Sequence, residues 1–271
     1  MNYMDELEAK SIYIIREAYR TFKNKLAVLV SWGKDSITML HLVKKAFFGN
    51  VPVPVVHIDT GYQMKEIYEF REKLTKEWNL NLIIAKNEEA LKSGMGPDKG
   101  RLECCTALKT EALKQCIKQY GFRALLVAIR RDEHAIRAKE RYFSRRTTDG
   151  EWLYHEQLPE LWEHFQVKLD DTGMHLRVHP MLHWREIDIW RYIKRENIPV
   201  NPLYFAGARK EGYRYRSLGC EPCSAPIPSN AKTIDEIIKE LETTNIAERA
   251  GRIQDKERSY MMQRLRALGY M

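Results

Sequence analysis

Residues 31–36, SWGKDS, combine the groups that bind a phosphate chain. They follow an apolar run and precede a stretch with helical spacing, which predicts a tight turn ending at a helix N-terminus. The backbone N–H groups and the dipole of such a helix favour a bound anion. The GxxxxGK[ST] pattern of a Walker A loop is absent, and an ordinary turn with a serine cap is the alternative interpretation. The candidate nucleotide-binding residues are Ser31, Trp32, Gly33, Lys34, Asp35 and Ser36, with Asp35 as the candidate ligand for Mg²⁺.

Five cysteines form a second group of chemically active residues. Cys104 and Cys105 are adjacent, Cys220 and Cys223 form a CxxC pair, and Cys116 lies in a helical stretch, where we expect a core residue. An odd number of cysteines argues against a framework of disulfides. The two pairs are candidate metal ligands, because thiolates hold iron–sulfur clusters and four cysteines also suit zinc. Buried free thiols are the third interpretation.

Composition and charge limit the class of protein. Of the 271 residues, 44% are hydrophobic and 30% are charged, as in a folded soluble protein. No apolar run approaches the roughly 18 residues that span a bilayer, and the amphipathic N-terminus carries acids, unlike a signal peptide. We therefore expect no membrane association and a cytoplasmic location. The net charge of +8 fits either a solvated basic surface or a partner with phosphates.

Apolar runs alternate with helical stretches on both sides of the phosphate loop. The runs at 26–30, 51–58, 80–85, 124–129 and 176–182 predict five strands. Helices are predicted at 1–24, 36–48, 65–78, 106–120, 186–196, 234–242 and 256–268. This alternation predicts an α/β fold with a doubly wound, mostly parallel five-stranded sheet. Ligands of such sheets bind beyond the carboxyl ends of the strands, where the loops after residues 30, 58 and 129 should converge.

The pattern changes in the second half of the chain. Residues 130–146 are dense in charge, and residues 201–230 are rich in Gly, Pro, Tyr and Arg without periodicity. A loop of that length is usually functional or disordered. We therefore expect a nucleotide-binding α/β domain over residues 1–200, N-terminal helix included. Residues 201–271 are expected to form a loop-rich extension that ends in helices and packs over the active site.

Two segments resemble a known family. Residues 31–36 resemble the SGGxDS pyrophosphate loop of the ATP α–β pyrophosphatases, the adenine nucleotide α-hydrolase-like family, with Trp32 where glycine is usual. Residues 57–61, HIDTG, resemble the segment after strand two in the sulfur-handling, phosphoadenylyl-sulfate reductase-like branch. The resemblance implies that fold, ATP as the nucleotide, and Asp59 as a ligand of ribose or metal, with Thr60 beside it. Capping of the next helix is the alternative role of Asp59.

Longer segments resemble the small, catalytic subunit of heterodimeric sulfate adenylyltransferases. These are RRDEHAIRAKERYFS at 130–144, PLYFAG at 202–207, RYRSLGC at 214–220 and ERAGRIQDKE at 248–257. The resemblance implies ATP and sulfate as substrates, adenylyl sulfate and pyrophosphate as products, and a GTPase as the large partner subunit.

Such a transfer builds up negative charge that cations must neutralise. The candidate catalytic residues are Lys34, Asp35, Arg130, Arg131 and Arg137. Arg214 and Arg216 are further candidates for binding the nucleotide. A solvated helix face, on which Arg137 pairs with neighbouring glutamates, is the alternative for that arginine.

The cysteine pattern resembles other members of the family. Adjacent cysteines and a distant CxxC are similar to the cluster ligands of adenylyl-sulfate reductases and of the ATP pyrophosphatases in DNA phosphorothioation systems. This implies a 4Fe-4S cluster on Cys104, Cys105, Cys220 and Cys223, with zinc as the alternative. It also raises DNA and a cysteine desulfurase as alternative partners, and the basic stretch 207–216 suits a nucleic-acid backbone as well as a lid over pyrophosphate.

Two further hypotheses stay open at this point. The reductases use a cysteine in their C-terminal tail, whereas here no cysteine follows Cys223, so a reductase-like protein would lack that group. A non-catalytic nucleotide sensor is the last alternative, since a fold alone does not establish catalysis.

Overall fold

The structure is a computed structural model that describes residues 2–169, 171, 173–252 and 261–270. A six-stranded sheet forms its centre, with the strand order β3-β2-β1-β4-β6-β5. The strands are β1 (Leu26–Leu29), β2 (Val55–Ile58), β3 (Leu82–Ala85), β4 (Ala124–Val127), β5 (Phe143–Arg146) and β6 (His175–Val178). All neighbouring pairs are parallel except β5 with β6. The central strands β1, β2 and β4 are wholly buried, as parallel strands covered on both faces must be. The predicted mostly parallel α/β architecture is confirmed.

β5 is the strand that the sequence did not predict, so the sheet has six strands rather than five. It lies at the sheet edge, where Phe143 is opposite Val178 of β6. Its sequence, FSRR, belongs to the charge-dense stretch, yet every residue of the strand is buried. Arg146 donates a hydrogen bond of 2.8 Å to the buried Glu140. An internal ion pair therefore replaces the solvation that the charge pattern indicated.

Helices flank the sheet at nearly the predicted positions. They are α1 (Tyr3–Phe22), α2 (Lys34–Ala46), α3 (Lys65–Glu77), α4 (Glu88–Lys92), α5 (Arg101–Cys105), α6 (Ala112–Tyr120), α7 (Glu186–Glu196), α8 (Ile234–Thr243) and α9 (Met261–Ala267). α1 packs against α2 and against three strands, and α7 packs against α2 and α8. The last predicted helix began at residue 256, and residues 253–260 lie outside the described residues. No helix in the described part of the chain is long and apolar enough to cross a membrane.

The segment with the adjacent cysteines is helical. Cys104 and Cys105 end α5, and a π-helical turn, Thr106–Glu111, joins α5 to α6. π-helical turns occur frequently at functional sites, because they displace side chains from the regular helical position.

The 201–230 region is ordered by short elements. A 3₁₀ turn at Pro202–Tyr204 leads to β7 (Tyr213–Arg214), which pairs antiparallel with β8 (Ile227–Pro228). The CxxC pair lies on a 3₁₀ turn, Glu221–Cys223, between these two strands. The predicted long loop is thus a two-stranded ribbon with the cysteines in its connection.

Candidate active site

A pocket lies beyond the carboxyl ends of β1, β2 and β4. The last residues of these strands and the loops that follow them, Val30, Ile58 and Ile129 among them, form its apolar wall. The loop 31–36 forms one polar side, and the segment 217–220 covers it from the C-terminal half of the chain. This is the predicted position, since ligands of open parallel sheets bind at this edge.

The 31–36 loop has the geometry of an anion site. Gly33 is the N-cap of α2 and has no side chain, so the cap residue itself offers no side-chain acceptor to the first N–H groups of the helix. Ser31 and Ser36 bring their hydroxyls within 3.3 Å of each other beside these groups. Trp32 has a positive φ of 62°. Its side chain is fully buried in the protein interior, which holds the loop in place. The hydroxyls and helix dipole together suit a phosphate chain.

Lys34 is buried among carboxylates at the start of α2. Its Nζ lies 3.1 Å from Asp35 Oδ2 and 4.0 Å from Glu186 Oε1, and it contacts Glu248 directly. Burial alone would lower the pKa of Lys34, but Asp35, Glu248 and Glu186 outweigh it and raise that pKa above its ordinary value. The lysine is therefore charged throughout the physiological range.

Arg130 follows β4 and meets the same group of acids. Its Nε lies 2.7 Å from Asp35 Oδ1 and its NH1 lies 2.5 Å from Asp132, while NH2 contacts Glu248. Burial opposes ionisation of Asp35, yet Arg130 and Lys34 hold the pKa of its carboxyl below the ordinary value. Asp35 is thus an ionised carboxylate at the edge of the pocket, as a ligand of Mg²⁺ would have to be.

The charges around this loop nearly balance. Four carboxylates, Asp35, Asp132, Glu186 and Glu248, surround three cations, Lys34, Arg130 and Arg216. A triphosphate would add about four negative charges, so its binding requires a divalent cation or rearrangement of an acid.

A second cationic group lines the same pocket. Arg137 contacts Glu133, and Arg249 lies 3.3 Å from the other oxygen of the same carboxylate. Arg137, Arg249 and Arg252 all line the pocket. Burial opposes ionisation of Glu133, but the two arginines that bond this residue keep the pKa of its carboxyl well below its usual range. The alternative interpretation of Arg137 is right about its pairing with a neighbouring glutamate, Glu133, and wrong about a solvated helix face, because the residue is buried on a short 3₁₀ turn.

Three other candidate arginines are not among the residues that line the pocket, and each contacts another protein group. Arg131 lies over the ring of Tyr142, 5.2 Å from its centroid. Arg214 pairs with Glu240 of α8 at 2.9 Å, and Arg216 pairs with Glu186 of α7 at 2.7 Å. Only Arg216 approaches the loop, through its carbonyl oxygen 3.5 Å from Lys34 Nζ. These contacts indicate supporting positions for the three side chains.

The HIDTG segment connects the pocket to the cysteines. Asp59 accepts hydrogen bonds from the Gly61 N–H at 2.9 Å and the Tyr68 hydroxyl at 2.8 Å, and pairs with Lys86. These bonds hold the β2–α3 connection in place. Thr60 instead places its hydroxyl 3.2 Å from Cys220 Sγ.

All four predicted metal-ligand cysteines line one small cavity. Cys104 and Cys105 reach it from α5, and Cys220 and Cys223 reach it from the ribbon connection. Burial and the neighbouring thiols raise the pKa of Cys104 to about 12. Burial opposes ionisation of Cys220, but Lys109 and the Thr60 hydroxyl lower its pKa below the ordinary value. Within the described residues, no three His, Cys, Asp or Glu side chains converge on a position that could hold one metal ion.

The nucleotide pocket and the cysteine cavity share a wall. Lys109 and Cys220 line both of them. The Lys109 Nζ lies 3.3 Å from the hydroxyl of Tyr270, which lines the nucleotide pocket. Sequence reasoning did not single out Lys109 or Tyr270, because only folding brings them together with residue 220.

Comparison with known proteins identifies the class to which this fold and site belong. The family model for the phosphoadenosine phosphosulfate reductase domain matches residues 25–226. A phosphoadenylyl-sulfate reductase from Candida auris, solved as a phosphate complex, superposes with a TM-score of 0.56 at 18% identity, covering 83% of this chain and 96% of that chain. The FMN adenylyltransferase of Candida glabrata in complex with ATP gives 0.59 at 17% identity, with 92% and 87% coverage. At these identities the likeness to the solved structures shows a shared fold.

Similarity to curated proteins identifies the family within this class. Sulfate adenylyltransferase subunit 2 of Zymomonas mobilis is 40% identical over 298 aligned positions, which cover 100% of this chain and 98% of the relative. The protein of the same name from Shigella dysenteriae is 38% identical with the same coverage. The chain therefore belongs to the sulfate adenylyltransferase subunit 2 family within the phosphoadenosine phosphosulfate reductase domain class. The family resemblance seen in the sequence is confirmed.

Proposed function

We propose that this chain catalyses transfer of AMP from ATP to sulfate, giving adenylyl sulfate and pyrophosphate. The observation that carries the proposal is the 31–36 loop, which presents a helix N-terminus and the ionised Asp35 to a pocket at the sheet edge. Full-length similarity to proteins named sulfate adenylyltransferase subunit 2 supports sulfate as the acceptor.

The residues fit the chemistry of this reaction. Sulfate is already ionised, so the attack on the α-phosphorus needs no general base. The protein has to position two anions and stabilise the charge of the transition state. The loop and Lys34 would hold the pyrophosphate that leaves, and Asp35 would ligate the Mg²⁺ that neutralises it. Arg137, Arg249 and Arg252 line the same pocket and would contact the second anion.

The test is pyrophosphate release from ATP in the presence of Mg²⁺ and sulfate. Lys34→Ala is expected to lower the rate at least about 100-fold, because it removes a buried cation beside the phosphate loop. Lys44→Ala, on the half-buried face of the same helix, is the matched control and should retain the wild-type rate. Full activity of the Lys34 variant with unchanged thermal stability would remove this loop from the mechanism.

Activation of nucleic acid is the second candidate function, raised by the cysteine pattern, and the basic stretch 207–216 suits it. In the structure that stretch is largely paired with acids. Arg209 pairs with Glu66 at 2.7 Å and also contacts Glu221, while Arg214 and Arg216 each pair with a glutamate. A surface that tracks a nucleic-acid backbone needs exposed cations. This pairing favours sulfate as the acceptor.

The name of the relatives, subunit 2, indicates that such proteins work with a larger partner. We propose a GTPase as that partner and the cytoplasm as the location, both from the family resemblance.

We also propose that the cysteine cavity holds an iron–sulfur cluster. Four thiols face one cavity, and Lys109 lowers the pKa of Cys220, which favours the thiolate that binds iron. Zinc ligands have to lie about 2.3 Å from a single ion. Zinc bound by the same four thiols is the alternative occupant of this cavity. A cluster would supply a polynuclear iron centre that is rigidly held beside the nucleotide.

Elemental analysis and absorption spectroscopy of protein purified without oxygen test this cofactor. We expect about four irons per chain and a brown colour. Cys223→Ser is expected to lower the iron content strongly, whereas Cys116→Ser should not, because Cys116 is a core residue of α6. Stoichiometric zinc without iron would contradict the proposal.

A further inference from the structure

Tyr204 places its hydroxyl at the phosphate loop, although sequence reasoning gave this residue no role. The side chain is fully buried and lines the nucleotide pocket. The backbone N–H of Lys34, the first residue of α2, donates a hydrogen bond of 2.8 Å to the Tyr204 hydroxyl oxygen. That N–H group is one of the donors which a helix N-terminus would offer to a phosphate.

The surrounding residues fix the position of this hydroxyl. Asn201 caps the 3₁₀ turn that carries Tyr204, through a hydrogen bond of 3.0 Å from the Leu203 N–H. The ring packs edge-on against Trp190, with 5.4 Å between centroids. A Cβ atom at Gly33 would lie 3.0 Å from the hydroxyl oxygen, so glycine at this position leaves room for it. The tyrosine is therefore held rigidly against the loop.

The hydroxyl has an unused donor. Among the described residues it accepts the Lys34 hydrogen bond, and its own proton is donated to no protein group. Burial raises the pKa of Tyr204, with Asp35 and Glu248 adding to this effect. The phenol is therefore neutral at every physiological pH and acts as a hydrogen-bond donor.

We propose that Tyr204 donates this proton in a hydrogen bond to the pyrophosphate that leaves ATP. The inference rests on the proposed function, because it takes the 31–36 loop as the pyrophosphate site. One helix N–H then reaches the phosphate through the tyrosine, which accepts from the backbone and donates to the ligand. Tyr204 is thus a catalytic residue that binds the leaving group. The alternative is a purely structural role, in which the hydroxyl only supplies the helix cap that Gly33 lacks.

The two roles differ in which ligand they affect, and calorimetry with the whole chain separates them. Titrations of wild type and Tyr204→Phe with Mg²⁺–pyrophosphate and, separately, with AMP measure both affinities. We expect the Kd for pyrophosphate to rise about tenfold in the variant, as for loss of one hydrogen bond to a charged group, and the Kd for AMP to stay within about twofold. Tyr192→Phe is the matched control, because its hydroxyl bonds Glu8 at 2.7 Å. It should leave both affinities unchanged.

Each of the other possible outcomes contradicts either this inference alone or the proposed function as well. Equal weakening of both ligands by Tyr204→Phe, or an unchanged Kd for pyrophosphate, would overturn the inference and leave the proposed function standing. Failure of the wild type to bind pyrophosphate at all would instead contradict the proposed function, and this inference with it. No sulfate is present in these titrations, so the identity of the acceptor does not affect them.

Discussion

Glu248 determines most directly whether the cations of the phosphate site are free to bind a phosphate. Its carboxylate contacts Lys34 through one oxygen and Arg130 through the other, and it is buried. Both cations are candidate catalytic residues, and Lys34 is also a candidate for binding the nucleotide. In the absence of a phosphate, the Glu248 carboxylate is the ion-pair partner of both cations. A triphosphate therefore has to compete with this carboxylate for Lys34 and Arg130.

Removing the charge of Glu248 tests this competition. Glu248→Gln is expected to tighten ATP binding about tenfold, because Lys34 and Arg130 are released for the phosphates. The same change should lower the free energy of unfolding by about 2 kcal/mol, since two buried cations lose a charged partner. Calorimetry with ATP and thermal unfolding measure the two effects. Glu240→Gln, at the Arg214 pair, serves as the control for loss of a glutamate elsewhere. Weaker ATP binding by Glu248→Gln would instead indicate that this carboxylate is part of the nucleotide site.

Sequence reasoning predicted the local part of the site and missed the distant part. The 31–36 loop could be predicted because its chemistry and its place after a strand are both local. Tyr204 and Glu248 lie in PLYFAG and ERAGRIQDKE, segments that carried the family resemblance, but nothing in those segments shows what they contact. Their partner Lys34 is 170 and 214 residues away along the chain, so only the fold determines these contacts.

At the scale of elements, the edge of the sheet is held by a buried glutamate. Glu140 bonds Arg146 of β5 at 2.8 Å and contacts Arg266 of α9. On β6, Arg177 donates a hydrogen bond of 2.8 Å to the Tyr270 carbonyl, and it also contacts the Gly269 carbonyl. These bonds fix the C-terminal residues against β5 and β6, and with them the Tyr270 ring in the wall of the pocket.

This cluster should make stability depend on pH. Burial opposes ionisation of Glu140, but Arg146 and Arg266 hold the pKa of Glu140 well below its ordinary value of 4.5. A carboxyl with a lowered pKa contributes stability that is present above about pH 4.5 and is lost as the pH falls towards the folded-state pKa.

Glu140→Gln is therefore expected to lower the free energy of unfolding by about 3 kcal/mol at neutral pH. The difference from wild type should shrink as the pH falls below about 4.5, because protonation then removes the same charge from the wild-type chain. Denaturant unfolding over a range of pH measures this difference in the free energy of unfolding. Glu151→Gln, at an exposed position, is the control. A difference that does not change with pH would show that the lost stability has another source.

The same cluster explains why one strand of the six-stranded sheet escaped prediction. β1, β2 and β4 are short apolar runs, and burial of apolar surface alone indicates their place in the sheet. β5 has the sequence FSRR, and its arginine Arg146 is buried because it pairs with Glu140. A run of charged residues indicates an exposed segment unless the ion-pair partner is known. Here the partner, Glu140, lies outside the strand. The presence of the parallel strands could therefore be anticipated, whereas the antiparallel edge could not.

At the scale of the whole molecule, two sites share one wall. The phosphate loop and the cysteine cavity come from different segments of the sequence, and Lys109 and Cys220 line both of them. Similarity to the relatives extends over the entire chain, so adenylyl transfer and the cysteines have to be explained within one architecture. The division at residue 200 into a nucleotide-binding domain and an extension stays a prediction.

Exchange of labelled pyrophosphate into ATP tests the central claim most directly. Label returns to ATP only if AMP has been transferred reversibly to an acceptor, so the exchange reports the acceptor itself. With Mg²⁺ present, we predict exchange that requires sulfate and is lost in Lys34→Ala. A chloride salt at the same ionic strength is the control for sulfate, and duplex DNA with a cysteine desulfurase is the competing condition. Exchange at the same rate without sulfate, or only in the presence of DNA, would contradict the assignment of sulfate as the acceptor.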